Sequence, residues 1–285
     1  MVVITKSLQN SHPITELNVF GDSLSDVGTV FRLSGGMYPP NPPYFQGRYS
    51  NGLVWVEYLA ESLNLSSNQS KNFAYGGATT GKVNPGAAQI NYNSLVPDLL
   101  TQVKSFTQAN QQANLNALYV IWAGANDYLQ GVSSEKVPLE NLTIAIASLH
   151  DFGAKKMLVG NLPDLGHLPA TRTNGNSAYL SGLTRAHNQG LRRSLKLISQ
   201  QRSDLQIATL DANTLYREAI TNPAAFGFSN VISGCMAAQT SYSNPDQFLF
   251  WDSIHPTTAA HHIIGKTALA AIQDAGIINT TYTHK

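Results

Sequence analysis

The chain holds one cysteine, Cys235, in 285 residues, so no intramolecular disulfide can form and nothing marks an oxidative framework. A lone cysteine of this kind reads as a small loop or core residue rather than a reactive thiol. Charge is scarce as well: 12% of the residues are charged, and the formal net charge is +1. With no cluster of Lys and Arg interleaved with aromatics, no nucleic-acid partner is expected. No apolar run reaches membrane-spanning length, and the apolar start at Met1 to Ile4 is too short for a signal-peptide core. The chain therefore reads as cytoplasmic, with a secreted, processed form as the alternative, and its oligomeric state is not legible. What is plentiful is apolar side chain, 42% of the residues, enough for one sizeable core. One domain over 1–285 is expected, with 1–15 as an N-terminal extension.

Five short apolar runs alternate with longer segments of helical period, the signature of an α/β fold in three α/β/α layers around a mostly parallel sheet. The strands fall near Leu17 to Asp22, Asn72 to Tyr75, Leu118 to Ala123, Lys156 to Gly160 and Gln206 to Leu210. Helices are expected over Leu53 to Leu63, Leu99 to Ala109, Leu139 to Phe152, Ala178 to Gln201 and Thr257 to Ala275. In the fourth of these, Leu180, Leu183, Leu191, Leu195 and Ile198 recur at helical spacing, a stripe for the core and not a site. Two stretches break the alternation, 34–51 and 222–250, and loops this long are expected near the cleft. In the first, Tyr38, Pro40, Pro43, Tyr44, Phe45 and Tyr49 suit either an apolar wall for an acyl chain or simple anchoring of the loop.

The chemistry concentrates at the strand ends. Val19-Phe20-Gly21-Asp22-Ser23-Leu24 runs an apolar strand into a polar turn, where Ser23 can present its hydroxyl at the edge where open α/β sheets bind ligands. A serine needs a base to attack at neutral pH, and a histidine held by a carboxylate supplies one. Asp252-Ser253-Ile254-His255-Pro256 offers both on one turn leading into a helix, with Asp252 as orienting acid and His255 as base. Between these segments, Gly76-Gly77-Ala78 and Gly124-Ala125-Asn126-Asp127 each follow a strand-like run. A backbone N–H at Gly77 and the Asn126 amide are neutral donors of the kind that stabilise an oxyanion.

These four segments, in this order, resemble the blocks of the GDSL lipase/esterase family of the SGNH hydrolase superfamily, over almost the whole chain. By motif position, the resemblance implies Ser23, Asp252 and His255 as catalytic triad. It implies the Ser23 and Gly77 N–H groups with Asn126 as oxyanion hole, Gly77 being chosen over Gly76 because it directly precedes Ala78-Thr79. Tyr49-Ser50-Asn51-Gly52 and Gly160-Asn161-Leu162-Pro163-Asp164 are similar to segments of plant and bacterial members, whereas Thr29 stands where many members carry Asn. The implied fold is flavodoxin-like, with five parallel strands in the order 2-1-3-4-5, which sets the ends of strands 1, 2 and 3 side by side. The implied function is cleavage of small-molecule or lipid carboxylic esters through an acyl-enzyme, without cofactor. Acyl transfer, phospholipase action or non-catalytic binding of lipid or glycan are the alternatives.

Rival patterns are weaker. Gly76 to Val83 nearly spells a phosphate-binding loop, but Val83 occupies the position of the Mg²⁺-binding Ser or Thr. No metal is expected: His255, His261 and His262 lack clustered carboxylate or thiol partners, and the last two read as facing outward on the final helix. His12, His150, His167 and His187 read as surface or satisfied groups, and Asp22, Asp26 and Asp127 as holders of turns. Arg48 reads as an exposed loop arginine without a specific task.

Overall fold

Near-continuous apolar strands demand cover on both faces, and the chain provides it by alternating which way successive side chains point. The structure, a computed structural model, describes residues 13–82, 96–238 and 244–279. Its sheet is built from β1 (Glu16–Gly21), β2 (Ser70–Asn72), β3 (Ala117–Trp122), β4 (Lys156–Gly160) and β5 (Gln206–Leu210), all parallel, in the order β2-β1-β3-β4-β5. The α/β fold and strand order match the sequence reading.

Helices α1 (Thr29–Leu33), α2 (Trp55–Ser62), α3 (Leu99–Ala109), α4 (Ala125–Leu129), α5 (Lys136–Asp151), α6 (Ser177–Gln201), α7 (Ala212–Thr221) and α8 (Thr258–Asp274) complete the main elements. Leu17, Val19, Val120 and Trp122 of the sheet pack with α2 and α8 through Leu59, Ile264 and Ile272. The opposite face sends Phe20, Tyr119, Ile121 and Val159 against α3, α5 and α6 through Val103, Phe106, Ile146 and Leu195.

The sequence reading does not include α1, α4 and α7, and it differs from the structure at the second strand and in the stretch 222–250. The second strand ends at Asn72 because the Asn72 side chain accepts the Ala74 N–H at 3.0 Å and turns the chain, although Phe73 and Tyr75 still donate to Val19 and Gly21 of β1. The stretch 222–250 is not wholly irregular. It holds β6 (Asn230–Gly234) and β7 (Phe248–Phe250), a small parallel pair apart from the main sheet. That pair matters for position, since Phe250 bridges to Pro256 and the Trp251 N–H meets the His255 carbonyl at 2.8 Å. Residues 251–255 are thereby pinched into a tight turn, and Thr257 caps α8 by accepting the Ala260 N–H. Of the expected N-terminal extension only residues 13–15 are described, and Val83 lies outside the described residues.

Candidate active site

The turn that carries Ser23 is a single coil of backbone closed at Asp22. Its carbonyl accepts the N–H groups of Ser25 and Asp26, and its carboxyl Oδ1 accepts the Leu24 N–H at 3.0 Å. Ser23 sits at the head of that coil. Strand β1 is held just before it by Gln102 of α3, whose amide bonds both the N–H and the carbonyl of Gly21 at 2.9 Å, a contact no local pattern announces.

Asp26 joins this turn to the next loop. Its carboxylate accepts the N–H groups of Gly28, Thr29 and Val30, and also that of Gly76 across 50 residues at 2.8 Å. The following loop lies against the site through Tyr49, whose ring leaves no room for a side chain at Gly76. Gly77 has φ +83°, a left-handed conformation that glycine adopts without strain. The Asn126 Nδ2 donates to the Ala78 carbonyl at 2.9 Å, and Asp127 accepts from the Thr80 N–H and hydroxyl, so the second and third strand-end loops are tied together.

At the other end of the chain, Asp252 Oδ1 accepts the N–H groups of Ile254 and His255, each at 2.7 Å. Its Oδ2 faces His255 Nδ1 at 2.7 Å, and His255 Nε2 stands 2.9 Å from Ser23 Oγ. The three side chains thus form one hydrogen-bonded line across 232 residues of sequence. Burial pushes the Asp252 carboxyl up, but the charge and hydrogen bonds of His255 and the Ile254 N–H outweigh it and carry the pKa down to about 2, so the group is a carboxylate at neutral pH. Asp22 behaves oppositely: burial pushes it up to about 7 against the pull of the Leu24 N–H and His255.

Ser23, Asn126 and His255 share a hollow whose walls are Leu24, Leu129, Leu165, Leu168 and Ile254. Gly77 is not among the residues that line it, and its carbonyl accepts from Gln130 Nε2 at 3.3 Å. Such a hollow brings a hydroxyl, a base and an amide donor to one face of an apolar group.

Two expectations are corrected here. His261 does not face outward: with Ala260, Ile264, Ala268 and Ile272 it lies on the buried face of α8, where Nδ1 accepts the Trp55 N–H at 3.2 Å at the start of α2. Burial pulls its pKa down to about 3, so it stays neutral; His262 is the outward one, beside Tyr58. Arg48 is not an idle exposed arginine. Its Nε and Nη2 bind the Glu57 carboxylate at 3.0 and 2.7 Å, clamping the loop to α2. Among the described residues no cluster of three or more His, Cys, Asp or Glu is arranged to hold a metal ion, and no helix is long and apolar enough to cross a membrane.

Tyr44, read from sequence either as part of an apolar wall or as an anchor of its loop, donates its hydroxyl to Asp252 Oδ2 at 2.7 Å, while the Tyr49 ring lies 5.1 Å from that of His255. The Thr29 hydroxyl accepts from Arg32 at 3.2 Å.

Comparison with known proteins gives the family of the chain. The phosphatidylcholine-sterol acyltransferase of Aeromonas hydrophila is 27% identical over 324 residues, covering 96% of this chain and 95% of that protein. A GDSL esterase/lipase of Arabidopsis thaliana is 25% identical over 335 residues, covering 97% and 93%. A member of the lipolytic protein G-D-S-L family from Veillonella parvula shares the fold, with a TM-score of 0.51 at 14% identity across 90% of this chain and 98% of that one. The profile of the family described as GDSL-like Lipase/Acylhydrolase matches residues 17–268, and the chain belongs to that family.

Proposed function

We propose that this protein hydrolyses carboxylic esters through an acyl-enzyme on Ser23. The observation that carries the reading is the continuous line from Ser23 Oγ through His255 to Asp252. Ser23 Oγ attacks the ester carbonyl while His255 Nε2 takes its proton; the imidazolium is steadied by the Asp252 carboxylate and then gives the proton to the leaving alcohol. Water, deprotonated by the same His255, attacks the acyl carbonyl and frees Ser23. The oxyanion is held by the N–H groups of Ser23 and Gly77 and by Asn126 Nδ2. One Asn126 amide hydrogen is spent on the Ala78 carbonyl, which fixes the plane of the amide and leaves the other for the substrate. The walls of Leu24, Leu129, Leu165, Leu168 and Ile254 favour an apolar acyl group.

Transfer to an alcohol instead of water is the second reading, favoured by the relative named as an acyltransferase. Products formed from an aryl ester with and without a competing alcohol separate the two. The proposed nucleophile is tested by Ser23→Ala: the wild-type protein is expected to form a covalent adduct with an organophosphonate and the variant none. Full labelling of the variant would remove Ser23 from the mechanism.

A further inference from the structure

The turn 252–255 is complete without help from elsewhere: Oδ1 of Asp252 is filled by two N–H groups and Oδ2 by the His255 ring. Yet a fourth donor reaches this carboxylate. The Tyr44 hydroxyl, 208 residues away in sequence, donates to the same Oδ2 at 2.7 Å. The base that presents it is built for the purpose. Arg48 is clamped by Glu57 of α2, Ser50 Oγ donates to the Pro256 carbonyl at 3.1 Å, and Asn51 Oδ1 accepts the Thr258 N–H at 2.9 Å, so the loop is bound to α2 and to the segment that directly follows the Asp252–His255 turn. Tyr49 fills the space between, its ring 6.3 Å from that of Tyr44 and 5.1 Å from that of His255. Burial, the charge of Asp252 and the hydrogen bond to it push the Tyr44 hydroxyl well above the usual phenol range, so it remains a donor at any working pH.

From this geometry we propose that Tyr44 is a positioning residue of the ester-cleaving site, acting through Asp252: its hydroxyl shares the negative charge on Oδ2 and so limits how tightly the carboxylate holds the His255 imidazolium. The inference rests on the hydrolase reading above. Each donor on a carboxylate disperses its charge and weakens its attraction for a neighbouring cation. An imidazolium held too tightly is slow to give its proton to the leaving alcohol. Tyr44 also links the 34–51 loop to the triad, with the Tyr38 ring 6.0 Å from that of Tyr49.

Tyr44→Phe keeps the ring and removes the donor. The other titratable groups facing this turn and Tyr44, namely Asp22 beside Ser23, Tyr38 and Tyr49 of the same loop, and His261 on α8, are all retained in the variant, so the difference between the two proteins originates in the hydroxyl. With the charge on Oδ2 undivided, the acidic limb of the kcat/KM profile on a short-chain aryl ester is expected to move to higher pH by about 0.5 to 1 unit. kcat falls several-fold and KM stays within about twofold. In an Asp252→Asn background the same substitution is expected to move the limb no further. A second readout does not need turnover: the downfield proton resonance of His255 Nδ1 is expected to shift between wild type and Tyr44→Phe. An unmoved limb, a loss confined to KM, or an unmoved resonance would overturn the inference. If wild type cleaves no ester, the hydrolase reading fails, and the resonance alone decides whether Tyr44 tunes the Asp252–His255 pair.

Discussion

Replacing Gly76 with Ala has a cost that can be worked from coordinates. A Cβ at that position would stand 2.1 Å from the Tyr49 hydroxyl oxygen and 2.2 and 2.3 Å from two ring carbons, where ordinary contact begins near 3.4 Å. The ring must retreat by about 1.3 Å, the difference between 3.4 and 2.1, or the loop must swing away. The loop is held by the Gly76 N–H on Asp26 at 2.8 Å, and the ring is buried between Gly76 and His255. Overpacking of this kind costs about 1–3 kcal/mol in stability. A displacement of about 1 Å in a reacting group costs on the order of 10²-fold in rate. The variant is expected to lose at least about tenfold in kcat on a short-chain aryl ester, and 1–3 kcal/mol in urea unfolding, an order-of-magnitude figure. A variant with wild-type kcat and wild-type unfolding midpoint would refute the claim that Tyr49 transmits packing from the glycine loop to His255.

The opposite outcome is expected at Gly182 inside α6, where an added Cβ finds no atom nearer than Arg185 Nη2 at 3.9 Å. Gly182→Ala gains about 0.5–1 kcal/mol through helix propensity, and an unchanged or lower Tm would show that the backbone there needs its freedom. His187 gives a pH prediction. It is buried with Nδ1 on the Tyr128 hydroxyl at 2.8 Å, and burial pulls its pKa from 6.5 down to about 4. Its contribution to stability is whole above pH 6.5 and is lost as pH falls toward 4, because only the unfolded chain binds the proton in that window. By pH 5 the loss is about 2 kcal/mol. Between pH 7.5 and pH 5, His187→Gln is expected to lose about 2 kcal/mol less than wild type in urea titrations. Asp22 and Asp127, raised by burial, oppose this trend equally in both proteins and cancel in the comparison. Equal losses would show that the folded chain protonates His187.

What was legible in the sequence is what a few neighbouring residues determine. Strands β4 and β5 and helix α3 lie residue for residue where apolar pattern and flanking polar residues put them. The turns carrying Ser23 and the Asp252–His255 pair are closed by bonds within four residues, so their motifs contain their own geometry. Helix α7 was overlooked although it carries a local signal, Asp211 capping Thr214 three residues on. Strands β6 and β7 carry no comparable signal: Asn230–Gly234 pairs with only three residues, Phe248–Phe250, and the pairing is not local. His261 and Tyr44 fail for a related reason. An imidazole or a phenol has an apolar body and a polar end, and the residues around it in sequence do not say which neighbour the polar end will meet. For His261 that neighbour is the first amide of α2, and for Tyr44 it is a carboxylate 208 residues away. Both contacts arise only after the 34–51 loop, α2 and α8 have been brought together. A substitution in that loop that displaces Tyr44 would therefore also reach the Asp252 carboxylate, and through it the His255 ring on the same oxygen.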